Sequence, residues 1–463
     1  MIGGTLKGLE EVPVTFTSSN GQKLIAIGTP WDNSNMTVIV PEEVPLGPTG
    51  ISVTLDGQEI GAAVDIVIVE YAPALFSMDG DPYGPIKAAN YYEDGAVLNG
   101  LTRPAVPSQV VWIWSTGLNG AGIDDVTLWV ADDPVVPEYV GPSGFTGIEQ
   151  INFRVPPSPK LGCYVPIAIE VRHVRSDNLV VSINGQPGAC AHPLGLSYPE
   201  LIALDKAAGT NELTGVRMGV LRLEDQYNDL GSDESFLGGF GRVSRQTVFQ
   251  YSGAQLPPSM SYGCRPLDPS DSAHFSNLEI PLGLDAGGTT NLYGPGGRVN
   301  LTTRLTNNGK DPLGFQIETR GPIPDFLPGG DWLLELTGGA DVPPLQQAFH
   351  LPPPPMWETP LDETIHLSRN RDNVVRWDPT GYAPGEWMLI GVDSLGCFIP
   401  ADWGRILIPG NLLGPRTNPG MWMRVFPASG WPKAFPVELV DGQTIRALIY
   451  YVRFGPDRDA VVE

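Results

Sequence analysis

Turn-forming dipeptides recur along the whole chain, and they constrain the fold more than any other feature of the sequence. Asn-Gly and Asp-Gly tolerate positive φ and favour tight hairpins. They begin at Asn20, Asp56, Asp79, Asp94, Asn99, Asn119, Asn184, Asn308 and Asp441. Between them lie alternating or β-branched runs of about five to six residues, the usual length of a strand. The clearest runs are Val14–Thr17, Met36–Val40, Ile51–Leu55, Val64–Val69, Val110–Trp114, Ile167–Val171 and Leu179–Ile183.

Helical periodicity is scarce, and we predict one short helix, over Tyr198–Ala208. Many short strands with regular turns favour an all-β chain of tandem, Ig-like β-sandwich domains. The positions of the turn signals predict a short Ig-like unit over residues 1–71, a second β-sandwich over 72–186, a linker over 187–210, and a larger β-sandwich region over 211–463.

The first of these units is short for an Ig-type sandwich. Residues 1–71 supply about five strand signals, whereas such a sandwich uses about seven strands. A sandwich that lacks strands exposes an open edge that invites pairing with another chain. Our hypothesis is that the following domain or a neighbouring subunit completes the unit. Completion by a subunit would produce a fibre or a surface array.

Charge excludes several classes of partner. The chain carries 52 acidic against 28 basic residues, a net charge of -24. This balance argues against nucleic acid and anionic lipid as partners, because both attract Lys and Arg. No apolar run approaches the ~18 residues of a membrane span. The start, Met1–Lys7, lacks the basic and apolar regions of a secretory signal. Low charge with abundant Gly and Pro is nevertheless typical of exported β-proteins.

The chain contains four cysteines, and no two of them form a C-x-x-C pair. Zinc-ribbon and thioredoxin-type functions therefore have no support. From the residues alone, two disulfides in an extracellular protein and four buried thiols are equally compatible with this set.

Five short motifs follow one another over about 120 residues. They are Ala72–Phe76, Trp114–Asn119, Gly147–Pro156, Gly162–Pro166 and Gly188–Pro193. In this order they resemble the uncharacterised Solibacter-type C-terminal β-domain of secreted bacterial proteins. The chain departs from that pattern at Asn119, where the family has Gly, and at His192, where the family usually has Asp.

The resemblance implies export and an all-β architecture, and it implies no activity. It also implies a disulfide between Cys163 and Cys190, which would close a 27-residue loop worth about 3.5 kcal/mol. Cys264 and Cys397 would then form the second pair. The flanks are similar to such proteins more loosely, at Leu284–Gly287, Tyr293–Gly297 and Gly338–Val342.

One acidic segment has the composition of a Ca²⁺ site. Glu224–Glu234 concentrates five acids in eleven residues, and Ca²⁺ takes six to eight oxygen ligands from such loops. The spacing does not match an EF-hand, so a solvated acidic loop is the simpler interpretation. The candidate ligands are Glu224, Asp225, Asp229 and Asp233.

The C-terminal tryptophans admit two interpretations. An exposed indole can stack on a sugar ring, whereas a buried one fills a sandwich core, which is the more common case. The candidates for a sugar platform are Trp387, Trp403, Trp422 and Trp431.

Catalytic motifs are absent from the sequence. The five histidines show no metal-binding spacing, and neither a G-x-S-x-G elbow nor a Walker-type lysine loop occurs. We therefore predict a non-enzymatic, exported structural or adhesive protein at the cell surface, able to assemble through an open sheet edge. The alternative is a secreted protein that binds or processes carbohydrate.

Overall fold

Nearly all regular structure in this chain is β. The computed structural model describes residues 12–30, 36–55, 58–80, 84–131, 133–228, 231–252, 263–266, 280–281, 283–302, 314–318, 328–358, 364–383, 386–392, 395–413, 420–426, 433–455 and 458–463. Within these ranges lie 33 strands and two α-helices, arranged in several sheets, so the all-β prediction is confirmed.

The N-terminal sheet is a single layer of five antiparallel strands in the order β3-β2-β1-β4-β5. Its central strand alternates in burial because successive side chains point to opposite faces. Val12, Val14 and Phe16 point to one face and are buried. The strands are β1 (Val12–Ser18), β2 (Lys23–Pro30), β3 (Met36–Val38), β4 (Gly47–Leu55) and β5 (Gln58–Ile68).

The second unit is a two-layer sandwich. One sheet has the order β12-β13-β9-β7-β8 with β6 beside β9, and the other has the order β11-β10-β14-β15 with β16 beside β14. Side chains from both sheets, such as Phe153 and Ile167, meet in one buried cluster. The strands are β6 (Ala74–Leu75), β7 (Ala88–Tyr92), β8 (Gly95–Leu98), β9 (Val110–Thr116), β10 (Val126–Val130), β11 (Asp133–Val135), β12 (Tyr139–Pro142), β13 (Glu149–Arg154), β14 (Gly162–Val171), β15 (Val174–Arg175) and β16 (Leu179–Ile183), with a 3-10 helix at Ile123–Asp125.

The C-terminal region contains an 11-stranded, a four-stranded and a two-stranded sheet. The strands are β17 (Leu213–Asn228), β18 (Gly231–Ser244), β19 (Gly263–Pro266), β20 (Thr289–Gly294), β21 (Gly297–Thr302), β22 (Gly314–Glu318), β23 (Gly330–Leu336), β24 (Leu345–Leu351), β25 (Ile365–Leu367), β26 (Asn373–Arg376), β27 (Trp387–Val392), β28 (Leu395–Pro400), β29 (Arg405–Ile408), β30 (Gly420–Phe426), β31 (Lys433–Glu438), β32 (Thr444–Phe454) and β33 (Arg458–Val462). The 3-10 helices are Ala401–Trp403 and Gly410–Leu412. A single large cluster, with Trp332 and Trp377 fully buried, forms its core.

Two short α-helices lie where the second unit meets the C-terminal region. They are α1 (Tyr198–Lys206) and α2 (Arg245–Tyr251). The first confirms the helix predicted over Tyr198–Ala208, and Ser197 with Glu200 forms its capping box. The second was not predicted, because seven residues directly after a strand give too short a periodic pattern. Ser244 caps it by accepting a hydrogen bond from the Thr247 N–H.

Residues 187–210, predicted as a linker, contribute to a buried core. Leu194, Leu201 and Leu204 pack in one cluster with Cys163 of the second unit and Val248 of α2. The Asp205 carboxylate also accepts hydrogen bonds from the backbone N–H groups of the second unit at residues 101 and 102, at 3.0 and 2.8 Å. The segment therefore joins the two regions through shared burial.

The motifs that resemble the Solibacter-type domain include one close backbone contact. A side chain at Gly117 would lie 2.0 Å from the Ala72 carbonyl oxygen, and Gly117 has φ 77°. Only glycine tolerates both conditions. Asn119, two residues further on, has φ 48°, a conformation that Asn adopts more readily than most residues.

Two of the C-terminal glycine-rich stretches bind each other through aspartates. Asp285 accepts hydrogen bonds from the N–H groups of Gly287 at 2.9 Å and Ala340 at 3.0 Å. Asp341 in turn accepts one from the Asp285 N–H at 2.8 Å. Leu284–Gly287 and Gly338–Val342 are therefore two loops that are joined by hydrogen bonds from these aspartates.

Candidate functional site

The buried face of the N-terminal sheet is only partly covered. Phe16 and Val14 on β1 are 1% exposed, and Val44, from the segment between β3 and β4, packs on them. The apolar residues around them are merely half-buried. These are Leu24, Ala26, Met36, Val38, Ile51, Val53 and Ile68. Globular domains normally bury such a face against a second layer, whereas the described apolar residues packed in this cluster all come from the N-terminal unit itself.

The opposite face of the N-terminal sheet carries exposed isoleucines. Ile25 and Ile27 point to the same side of β2 and are 66% and 49% exposed. Their cross-strand partners on β1 are Thr15 and Pro13, which add no charge to the surface. Two β-branched apolar side chains are thus presented to solvent, with Lys23 of the same strand next to them on this face.

The edge of β2 next to these isoleucines is open within the described residues. β3 pairs with β2 only between Gly28 and Pro30. From Lys23 to Ile27, the side of β2 away from β1 has no described strand beside it. A free edge next to exposed Ile side chains is the arrangement that another strand can extend.

The sugar-platform tryptophans have different outcomes. Trp403 lies on a 3-10 helix and is 59% exposed. Trp387 lies on β27 and Trp422 lies on β30, which are neighbouring strands of the 11-stranded sheet. Trp422 pairs with Gly391. Trp431 lies outside the described residues. The sugar-platform hypothesis at these positions stays a prediction.

The acidic Ca²⁺ candidates lie on a long hairpin. Glu224 and Asp225 are on β17, Asp233 is on β18, and Asp225 pairs with Glu234 across the ladder. Asp229 lies outside the described residues, so the site stays a prediction. In the described parts of the chain, no three His, Cys, Asp or Glu side chains come together to hold a metal ion.

Both disulfides that the resemblance implied are present. Cys163 pairs with Cys190, and Cys264 pairs with Cys397. The second bridge joins directly opposite residues of β19 and β28. The first lies within the cluster that the second unit shares with the C-terminal region.

His192 is buried beside the first disulfide. Its Nδ1 accepts a hydrogen bond from the Leu194 N–H at 3.1 Å, and its Nε2 lies 2.8 Å from the Tyr164 hydroxyl. Tyr164 also meets Phe249 of α2 edge-on. Burial lowers the pKa of His192 to about 3, so the ring is neutral and Nε2 carries the proton. The residue acts as a fixed part of this junction.

The described histidines lie apart from one another. Besides His192, His173 lies beside Glu170, His350 beside Asp331 and His366 beside Glu463. All three of these are exposed ion-pair positions, whereas His274 lies outside the described residues. The four described histidines thus occupy four separate places.

Glu386 is a buried carboxyl group that no sequence motif singles out. Burial raises its pKa, and it accepts hydrogen bonds from the Tyr451 hydroxyl and the Ala383 N–H, both at 2.7 Å. The same interior holds Arg453, which donates to the Pro352 carbonyl oxygen. The Arg453 contact fastens the segment that begins at Pro352 to β32 of the 11-stranded sheet.

Comparison with known proteins gives weak similarities only. No protein-family model matches the sequence, and no curated protein matches it. Among solved structures, a tetra-tandem repeat in the extending region of a large adhesion protein is 11% identical, with 96% of this chain and 92% of that chain covered and a TM-score of 0.15. The Bacteroides ovatus SGBP-B protein of a mixed-linkage glucan utilization locus, in complex with a mixed-linkage heptasaccharide, is 10% identical, with coverage of 88% and 84% and a TM-score of 0.16.

The chicken CNTN1 FN1-FN3 domains are 8% identical, with coverage of 79% and 98% and a TM-score of 0.20. At such scores these similarities assign no function, and the fold class rests on the strands of this chain. No helix in the described ranges is long and apolar enough to cross a membrane.

Proposed function

We propose that this protein is an exported, non-enzymatic structural or adhesive protein of the cell surface, and that its N-terminal sheet assembles with a second copy. The observation that carries the proposal is the incomplete cover of that sheet. Phe16 and Val14 are buried, yet their neighbours are half-buried and the opposite face presents Ile25 and Ile27. A second layer or an added strand would remove this apolar surface from water.

Export is supported by the two disulfides. Such bridges form and persist in oxidising compartments and are rare in reducing ones. The resemblance of residues 71–193 to the Solibacter-type domain supports the same location. A non-enzymatic role is supported by the separation of the described histidines, because general acid–base and metal chemistry need such groups to converge.

The test is the state of association of the full chain. We expect sedimentation velocity and negative-stain electron microscopy to show concentration-dependent assembly. The double variant Ile25→Lys/Ile27→Lys should stay monomeric, because two ammonium groups would have to lose water at the contact.

A matched control lies in the C-terminal region. Val374 and Leu407 are an exposed cross-strand pair on β26 and β29, each 53% exposed. Val374→Lys/Leu407→Lys makes the same change in charge and should leave assembly intact. A wild-type chain that stays monomeric at every accessible concentration would refute the proposal, as would equal loss of assembly in both double variants.

A further inference from the structure

The outer face of the six-stranded sheet in the second unit carries aromatic rings. Val111 and Ile113 of β9 point inward and are fully buried, so Trp112 and Trp114 point outward. Both indoles are half-buried. Along a strand, such i and i+2 positions are roughly 6.6 Å apart. The sheet thus presents two large rings side by side along one strand.

Two amides lie directly beside these rings. In the ladder between β9 and β13, Gln150 is opposite Trp114 and Asn152 is opposite Trp112. The Gln150 Nε2 donates a hydrogen bond to the Asn152 Oδ1 at 2.7 Å. This bond orients both amides, and the Gln150 carbonyl oxygen and the Asn152 NH₂ group have no hydrogen bond to another described residue. An acceptor and a donor are therefore held next to each other.

A third ring lies on the far side of the amides. On β12, Tyr139 is opposite Asn152, and Gly141 is opposite Gln150. A Cβ at Gly141 would lie 2.7 Å from the Tyr139 hydroxyl, so the ring lies over this glycine. The hydroxyl donates to the Pro142 carbonyl oxygen at 3.1 Å, and the side chain is 39% exposed. Strands β9 and β12 both flank β13, so the rings stand roughly 10 Å apart across the amides.

Neighbouring contacts hold this arrangement in place. Tyr91 on β7 stacks on Trp112 with ring centroids 5.4 Å apart, which fixes one side of the indole. Arg154 is committed elsewhere, because it binds Glu138 at 2.7 Å and the Ser108 carbonyl oxygen at 2.8 Å. We call Trp112, Trp114, Tyr139, Gln150 and Asn152 the aromatic–amide trough.

We infer that the aromatic–amide trough binds an uncharged polysaccharide. A pyranose ring presents C–H groups on its faces and vicinal hydroxyls at its rim, each hydroxyl being both donor and acceptor. Indole and phenol rings accept the faces, and the fixed amide pair matches two adjacent hydroxyls. The inference rests on the proposed adhesive function, since it names the ligand class for that function, but it uses another surface than the N-terminal sheet.

The charge of the trough and of the whole chain favours a neutral glycan over a charged ligand. None of the five trough residues is charged, and the adjacent Arg154 is neutralised by Glu138. The whole chain carries -24 charges. A polyanionic glycan would be repelled without finding a cation in the trough. A neutral glycan meets no such penalty.

The experiment measures binding of full-length protein to neutral polysaccharides. Mixed-linkage β-glucan, xylan and galactomannan serve as probes in affinity electrophoresis and calorimetry, with polygalacturonate as the anionic contrast. We expect at least one neutral polymer to bind, with an affinity that salt does not change. Trp114→Ala should weaken binding tenfold or more, as removal of a central aromatic contact does. Tyr198→Ala, which removes an exposed aromatic ring on α1, should change nothing.

A second variant keeps the test independent of folding defects. Gly141→Ala adds one methyl group on the solvent side and displaces the Tyr139 ring, so it should weaken binding severalfold without changing the melting temperature. Absence of binding to all three neutral polymers would overturn the inference. So would preferential binding of polygalacturonate, unchanged affinity in folded Trp114→Ala and Gly141→Ala, or loss of self-association in these variants, which would make the trough an interface between copies.

The two proposals fail separately. Polysaccharide binding by a chain that stays monomeric would contradict the assembly proposal alone. Assembly without any polysaccharide binding would contradict this inference alone. The Ile25→Lys/Ile27→Lys variant should keep full affinity for the glycan.

Discussion

The N-terminal sheet and the second unit are built from similar strands but bury them differently. Phe16 on β1 and Phe153 on β13 are both fully buried. Phe153 lies between two sheets whose inward side chains are mostly buried, whereas the neighbours of Phe16 are half-buried. The comparison teaches that strand pattern alone does not make a closed core, since a second layer must also be supplied.

The largest expected effect is the difference in unfolding free energy that is lost when each of the two phenylalanines is replaced by alanine. Phe153→Ala should lower the free energy of unfolding of its unit by about 3–5 kcal/mol, because a closed core cannot collapse around the cavity. Phe16→Ala should cost about 2 kcal/mol less, because its half-exposed neighbours can move inward. Differential scanning calorimetry of the full chain measures both. Equal losses would mean that the N-terminal sheet has a core as complete as that of the second unit.

The next effect concerns covalent closure. The first 162 residues contain no cysteine, whereas Cys163–Cys190 closes a 27-residue loop at the end of the second unit. Replacing both cysteines by Ala should cost roughly 3 kcal/mol. The melting transition of the second unit should fall, and that of the N-terminal sheet should not move. Hydrogen exchange by mass spectrometry can follow each separately, and a matched fall in both would break the contrast.

Acid should weaken the second unit through His192. Its pKa is about 3 in the folded chain and near 6.5 when unfolded, so the unfolded chain takes up the proton first. Stability is therefore complete above about pH 6.5 and decreases as the pH falls toward 3, by about 2 kcal/mol at pH 5. In His192→Gln this decrease should disappear from urea denaturation at pH 7 and pH 5. His173→Gln is the control, since the His173 side chain is 98% exposed.

The smallest effect is at the surface of the second unit. Arg154 and Glu138 form an ion pair at 2.7 Å whose side chains are 52% and 43% exposed. Solvent screens such pairs, so Arg154→Ala should cost less than about 1 kcal/mol. Thermal denaturation in low and high salt measures this. A loss close to that of Phe153→Ala would show that surface contacts, and not two-layer burial, distinguish the units.

Sequence reasoning identified most strands but could not assign their faces. All seven predicted runs overlap strands, although β3 ends at Val38 instead of Val40 and β5 ends at Ile68 instead of Val69. In β9 apolar residues occupy both faces, so alternation could not tell the inward Ile113 from the outward Trp112. Only the ladder with β13 places Asn152 beside that indole. The sequence analysis therefore named only C-terminal tryptophans as candidates and did not single out Trp112 and Trp114.

The packing of segment 187–210 could not be predicted from the sequence for a related reason. Its leucines have no period that identifies a partner, and its partners come from both sides of the chain. Leu204 packs with Cys163 and Val248, which are distant in sequence. Composition shows where the strand signals end. Whether the segment beyond them is a flexible linker or a packed part of the core depends on burial, which composition does not show.

The cluster around Leu204 has a mechanical consequence. Tension applied to a chain of domains passes along the backbone, and an unpacked linker would extend first under load. Here the stretch between the two regions is held by Asp205 on one side, and Asp79 forms a buried ion pair with Arg245 across the same junction at 2.9 Å. A force that pulls the second unit away from the C-terminal region must break these contacts together. We therefore expect this junction to transmit the force, and another part of the molecule to unfold first.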